Sequence, residues 1–421
     1  MRRSLLATIA VVVVVVVVAA AAGCASASAR PVTPKRASTF LNSVGVNVHM
    51  SYFDTSYRHW KRVRKKLVEL GVHHVRDGAC PGCKEQRDRL LALAAAGIRT
   101  DYIMGQPGGD TSLKKMVEMV AGPMRSTVDS VEGPNEFDRG SPHAWARRLR
   151  SYQHHLYTLV RKQPSLNGVP VLGPSIVFAS DFHRLGKIGR WTDLGNMHPY
   201  SGGQVPAATL TYNRRKERLV VGRKPVVATE AGFHNAFRSG DGNRPVSERA
   251  QAQYVPRLFL DFFRSGVRRT YLYELLDERP NVSRSDAQKH YGLLRHNFSE
   301  KPAFRTLKAL LHSLGPATGT TFPLVPLDYG IAPGAPDDLE QLLLQTGPKN
   351  YALVLWRNVS VWNTTALRAR RVKARSVTVT LGPGAGLTGM RDLRRRKPVA
   401  LGGPKLKLRL TGMPKVITIT R

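Results

Sequence analysis

The chain has 421 residues, enough for one large domain and a small one. With 42% of them hydrophobic and charges mixed throughout, disorder is excluded as its general state. Its charge is lopsided: 65 Lys and Arg against 29 Asp and Glu give +36, a surface that attracts nucleic acid, anionic lipid head groups or acidic polysaccharide.

Met1-Arg2-Arg3 opens a basic stretch, an apolar run from Leu5 through eight consecutive valines reaches Ala22, and Gly23-Cys24 closes it. This is the layout of an export signal. Ala21-Ala22-Gly23-Cys24 resembles a bacterial lipobox, which implies residues 1–24 as signal and Cys24 as the lipidated mature N-terminus. An uncleaved membrane anchor fits the same apolar run, and Arg2-Arg3-Ser4-Leu5-Leu6 resembles a twin-arginine signal. All three readings place the folded part outside the cytoplasm. Residues 25–38, small, Pro-containing and basic, read as a tether.

Strand-like runs then recur at 44–49, 72–76, 98–103, 127–131, 169–172, 194–198, 225–229 and 270–273, with helical apolar spacing between most of them. The helix over 60–70 stops at Gly71 and the one over 90–96 at Gly97, both C-cap positions. Longer helices are predicted at 142–160, at 246–263 and, last, at 302–314. Repeated strand, helix and glycine units argue for a parallel sheet wrapped by helices. Eight strands and no Gly-x-Gly-x-x-Gly after the first favour a closed (β/α)8 TIM barrel, spanning 39–316, over an open dinucleotide-binding sheet. Between the second strand and a helical stretch at 84–96, Cys80-Pro-Gly-Cys83 reads as a small structural disulfide in an oxidising compartment, with a redox motif as the alternative.

The composition then shifts. Residues 316–336 are rich in Pro, Gly and Thr, and period-two runs follow at 351–356, 376–381, 406–410 and 415–420. Short alternating strands with Gly/Pro turns predict a C-terminal β-sandwich over 317–421. From Thr318 onward 17 Lys and Arg face 5 Asp and Glu. The positive excess is therefore spread over both domains rather than held in one nucleic-acid-binding arm.

Two carboxylates stand out at strand ends, Glu136 in Val131-Glu-Gly-Pro-Asn-Glu136 and Glu230 in Val227-Ala-Thr-Glu230-Ala-Gly232. Barrel strands converge on one mouth at their carboxyl ends, so these distant positions become neighbours there. At this point the chain resembles the clan A glycoside hydrolases, similar to families 5 and 39. Those are (β/α)8 enzymes with an Asn-Glu acid/base after strand four and a glutamate nucleophile after strand seven. The resemblance implies retaining hydrolysis of a glycosidic bond, with Glu136 as acid/base, Glu230 as nucleophile, Asn135 on the sugar 2-hydroxyl and Arg76, at the end of strand two, supporting the nucleophile. It further implies contacts to nucleophile or sugar from His198 and Tyr200. Asn47 and His49 on strand one are candidates for binding hydroxyls. On strand eight the family commonly has a tryptophan, whereas this chain reads Tyr271-Leu-Tyr273-Glu274, so Tyr273 is the candidate platform and Glu274 a candidate hydroxyl contact. No metal-ligand spacing appears and no cofactor is implied. The expected partner is a carbohydrate, acidic or in the cell envelope, reached from the membrane. The rival readings are a non-catalytic envelope glycan-binding or scaffold protein on the same barrel, and a basic nucleic-acid binder, for which no recognisable motif is present.

Overall fold

The computed structural model describes residues 29–140, 144–316 and 321–421. The signal read at 1–24, with Cys24, lies outside the described residues, as does Pro142 at the start of the helix predicted at 142–160. That helix runs Trp145–Arg161.

Eight parallel strands form one sheet: Val44–Asn47, His74–Gly78, Arg99–Ile103, Val128–Glu132, Val171–Leu172, Gly195–Met197, Val226–Ala231 and Thr270–Leu272. The first pairs with both the second and the eighth. The ring closes between the fifth and sixth through a bridge from Leu172 to Leu194, where Gly173 N–H donates to Leu194 O at 3.0 Å. This is a TIM barrel. The helix Trp60–Leu70 ends where glycine was expected to end it: Gly71 takes a left-handed φ of 85° and its N–H reaches back to Leu67 and Val68 carbonyls. The helix expected to stop at Gly97 ends earlier, at Ala94, with Ala95 as its C-cap. Ser247 starts the helix Glu248–Arg264 by accepting from Ala250 N–H. Cys80 and Cys83 are joined by a disulfide just before the helix Lys84–Ala94.

The C-terminal part is two packed β-sheets. One is ordered Arg30–Val32, Leu327–Ile331, Arg375–Leu381, Lys405–Leu410, and the other Val399–Ala400, Gly386–Asp392, Lys415–Thr420, Asn350–Arg357, Leu339–Gln345, Lys35–Arg36. Residues 30–36, expected to be tether, are therefore structural: Arg30–Val32 pairs antiparallel with Leu327–Ile331, and Lys35–Arg36 parallel with the end of Leu339–Gln345. Pairing spares their backbone groups from being left unsatisfied beside the sheet edges. The chain thus enters the β-domain before it builds the barrel.

Strand Asn350–Arg357 shows how the two parts are joined. Side chains alternate between faces, and here both faces are buried: Tyr351, Leu353 and Leu355 enter the core between the sheets, while Ala352, Val354 and Trp356 enter the barrel's core. That double burial is why the segment reads as a continuous apolar run. Against it lies the helix Glu248–Arg264, buried nearly all round, whose Asp261 accepts from Trp356 Nε1 at 2.8 Å. Burial pushes the Asp261 carboxyl up to about 6, so that bond matters. Replacing Trp356 by alanine is expected to cost about 3–5 kcal/mol in urea unfolding. Trp356→Phe, which keeps most of the volume but strips the donor, should cost about 1–3 kcal/mol.

Candidate active site

The site is built around a buried arginine. Arg76 sits in the second barrel strand with 2% of its surface exposed. Its five N–H donors all find acceptors: Nε and Nη2 reach Glu132 Oε1 at 3.0 and 2.5 Å, Nη1 reaches Asn47 Oδ1 at 2.9 Å and Glu230 Oε1 at 2.7 Å, and Nη2 also reaches Asn135 Oδ1 at 2.6 Å. One guanidinium therefore fixes residues from strands one, four and seven. Beneath it, burial and then the adjacent Glu132 push the Asp101 carboxyl well up, and Ser130 Oγ donates to Asp101 at 2.5 Å.

Glu230 is the residue this scaffold serves. Arg76 holds one oxygen, and Tyr200 O–H donates to the other at 2.8 Å. Burial alone would raise its pKa, but His198, Arg76 and Tyr200 outweigh burial and hold it at about 2. Glu230 is thus an anion at any physiological pH. Gly232, two residues on, is dictated by space, because a Cβ there would lie 2.1 Å from Tyr273 O. Gly133 before the other carboxylate is forced likewise: its Cβ would meet Gln153 Oε1 at 2.2 Å.

Glu136 leaves strand four in the left-handed region, with φ 46°, a conformation that costs a non-glycine residue about 1–2 kcal/mol. Its N–H donates to Ser175 Oγ at 3.0 Å. The Glu136 carboxylate meets His198: Nδ1 lies 2.7 Å from Glu136 Oε1, and Nε2 lies 3.0 Å from Thr229 Oγ1. The protons on this chain can be assigned. Asn196 Nδ2 donates to Gly173 O, so its Oδ1 accepts from Thr229 O–H, and Thr229 in turn accepts from His198 Nε2–H. His198 Nδ1 and Glu136 Oε1 therefore share one proton. Burial would lower the His198 pKa, but Glu230 and Glu136 more than offset it and raise it.

One oxygen from each of Glu136 and Glu230 lies within 4.8 Å of the other. Both line a polar cavity of about 350 Å³ at the carboxyl ends of the strands, together with Asn135, His198, Tyr200 and Tyr273.

No protein-family description matches the chain and no curated protein matches its sequence. Its structure is similar to that of a family 39 glycoside hydrolase from Bacteroides cellulosilyticus, at 15% identity over 93% of this chain and 83% of that one, with a TM-score of 0.59. A family 39 enzyme from Xanthomonas axonopodis pv. citri aligns at 12% identity over 94% and 96%, with 0.58. A monomeric beta-xylosidase from Caulobacter crescentus aligns at 13% over 93% and 98%, also with 0.58. The chain shares its fold with family 39 glycoside hydrolases. The likeness spans the barrel and the β-domain together.

The other residues singled out from the sequence lie elsewhere. Asn47 does not face the cavity: its Oδ1 accepts from Arg76 and its Nδ2 donates to Thr229 O at 3.0 Å, so both ends are spent inside the barrel. Arg76 likewise acts from beneath. Glu274 was expected to contact a hydroxyl but is wholly buried, accepts from Tyr57 O–H at 3.2 Å, and has its carboxyl pushed well up by burial and Asp277. His49 stacks on Tyr52 with ring centroids 4.5 Å apart, and its Nε2 faces Glu274 at 3.3 Å rather than the cavity. His49, Glu274 and Glu278 bring ligand-type atoms within 4.8 Å of one another, as do Glu136, His198 and Glu230. In each group an imidazole nitrogen already lies against a carboxyl oxygen.

Sequence reasoning missed Glu132, although a glutamate directly after Val131, at the end of a strand that leads to the mouth, was a visible signal of a buried partner. It also missed Asp241 and Asn243 in the loop after strand seven, Gln288 and Tyr291 after strand eight, and Ile176 and Val177 after strand five, all of which line the cavity. Tyr291 packs edge-on to both Tyr200 and Tyr273, at 5.9 and 5.3 Å between centroids, and Tyr273 O–H donates to Gln288 Oε1. Three tyrosines thus form the aromatic wall for which one tryptophan was the family expectation.

Proposed function

We propose that this protein is a retaining glycoside hydrolase. The observation that carries the reading is the Glu136–Glu230 pair, within 4.8 Å, with Glu230 kept ionised. That spacing matches direct attack, for which the carboxyl groups lie about 5–5.5 Å apart, and leaves no room for the water that inversion places between them. In the first step Glu230 attacks the anomeric carbon while Glu136 gives the shared proton to the glycosidic oxygen, so the aglycone departs as an alcohol and a glycosyl ester forms. Glu136 then takes a proton from water, the hydroxide displaces Glu230, and the sugar leaves with its configuration retained. His198, with Nδ1 2.7 Å from Glu136 Oε1, keeps that carboxyl oriented through both steps. Asn135, whose Oδ1 is anchored on Arg76, has its amide free for the 2-hydroxyl.

Acid/base and nucleophile roles separate by leaving group. Glu136→Ala is expected to slow a glycoside of a poorly acidic alcohol roughly 10³-fold or more in kcat/KM, while an activated nitrophenyl glycoside, whose departure needs no proton, loses far less in its first step. Equal losses on both would remove Glu136 from the acid role. Wild type that binds glycans without turning any over would favour the non-catalytic alternative. The proposed place of action is outside the cytoplasm, on a lipid at Cys24, and radiolabelled palmitate incorporated by wild type but not by Cys24→Ser would test it.

A further inference from the structure

A much larger cavity, about 1360 Å³, lies away from the strand ends, in the crevice between the helices Glu248–Arg264 and Pro302–His312 and the segments 369–372, 391–396 and 411–413 of the β-domain. Nine Lys and Arg side chains line it against a single carboxylate, Glu300, which is already paired with Lys66 at 2.7 Å. Arg249, Arg370, Arg371, Arg395 and Arg396 are exposed and have no carboxylate partner among the described residues. Arg391 Nε is buried there without a hydrogen-bond acceptor. Like charges gathered in one crevice work against the compact state, and a buried donor without an acceptor costs about 1–3 kcal/mol. A bound polyanion would relieve both.

The lining selects among polyanions. No Phe, Tyr or Trp contributes to it, so the stacking platform on which single-stranded nucleic acid is held is missing. The surface is concave, whereas duplex DNA is read by an element that projects into its groove, and a flat bilayer cannot enter a crevice. Guanidinium forks suit carboxylate, sulfate or phosphate substituents, and a sugar chain is narrow enough to follow the crevice. Position supports the same partner. Both helices begin, at Ser247 and Pro302, on the face where the barrel strands end. The wall at 369–372 continues a hairpin whose Trp362 Nε1 donates to Pro245 O at 2.9 Å, on the loop that carries Asp241 and Asn243 of the catalytic cavity.

We propose that this crevice is an auxiliary binding site for an acidic polysaccharide, holding the polymer beside the catalytic cavity. That the bound polymer is also the one cleaved rests on the glycosidase reading; that it binds does not. The test is binding of polygalacturonate, read by calorimetry at about 0.15 M salt, to wild type and to two quadruple variants. One removes Arg370, Arg371, Arg395 and Arg396 by alanine; the other removes equal charge outside the crevice at the exposed Lys61, Arg64, Lys65 and Lys114. The crevice variant should lose at least roughly tenfold in affinity and the control variant less than about twofold. Arg370→Gln/Arg371→Gln, confined to two exposed side chains, tests the same claim should the quadruple variant fail to fold, with an expected loss of about threefold or more. Equal losses in crevice and control variants would reduce the effect to diffuse charge and overturn the proposal. Tighter binding of single-stranded DNA or of phosphatidylglycerol vesicles than of polygalacturonate, or no binding by wild type, would overturn it too. Turnover of aryl glycosides by wild type is measured separately, so failure of the glycosidase reading is distinguishable from failure of this one.

Discussion

Glu230→Ala is expected to lower kcat on an aryl glycoside by roughly 10⁴-fold or more, the scale seen when a covalent nucleophile is removed from a site whose binding groups remain. Azide should restore part of the rate, and the product should be a glycosyl azide of inverted configuration, since one displacement replaces two. The experiment is clean because of how Arg76 is held. With Glu230 gone, the guanidinium keeps Glu132 and the carbonyl oxygens of Asn47 and Asn135, so no buried charge is stranded and the fold should survive. Loss of activity without azide rescue, or a rescued product of retained configuration, would remove Glu230 from the nucleophile's role.

The barrel was legible because strands buried on both faces read as apolar runs and because glycine closes helices in a way that few other residues can. Where boundaries slipped, chemistry was the cause. The second strand was predicted at 72–76 and lies at His74–Gly78, since pairing continues through Arg76 and Asp77. Their charge would end a strand by pattern alone, but the site satisfies it from within. The strands in residues 30–36 were invisible for a different reason: two and three residues carry no periodicity, and their partners lie some 300 residues downstream. Such pairing is set by an available sheet edge rather than by local propensity.

The same distinction runs through the site. Glu136, Glu230, His198 and Tyr200 could be placed because strand ends converge, which is a property of the fold. The roles of Asn47, His49 and Glu274 could not be, because being at a strand end does not say whether a side chain rises into the mouth or is spent beneath it. Glu274 shows the difference: it follows Tyr273 directly, yet one lines the cavity while the other is fully buried on Tyr57. Asp241, Asn243 and Tyr291 come from loops whose path no pattern encodes. Their recruitment depends on tertiary contacts such as Asn243 Nδ2 donating to the Tyr291 hydroxyl oxygen.

Arg76→Met should do what Glu230→Ala does not, and destabilise the whole chain. It leaves Glu132 and Glu230 buried with no cation between them, and breaking a buried ion cluster from one side costs about 3–5 kcal/mol. The pH dependence should weaken as well. In the wild type Glu230 is depressed to about 2, so its stabilisation is present above the unfolded carboxylate range, near 4.5, and is lost as pH falls towards 2. Without the guanidinium, Glu230 keeps His198 and Tyr200 against burial but loses Arg76, so it is held down less and less of this stabilisation remains at neutral pH. The rise in urea midpoint from pH 4 to pH 7 should therefore be smaller in Arg76→Met than in wild type. Glu132→Gln added to Arg76→Met removes one of the stranded charges and should recover part of the loss at pH 7. A double variant no more stable than Arg76→Met would mean that lost packing, rather than uncompensated charge, sets the cost.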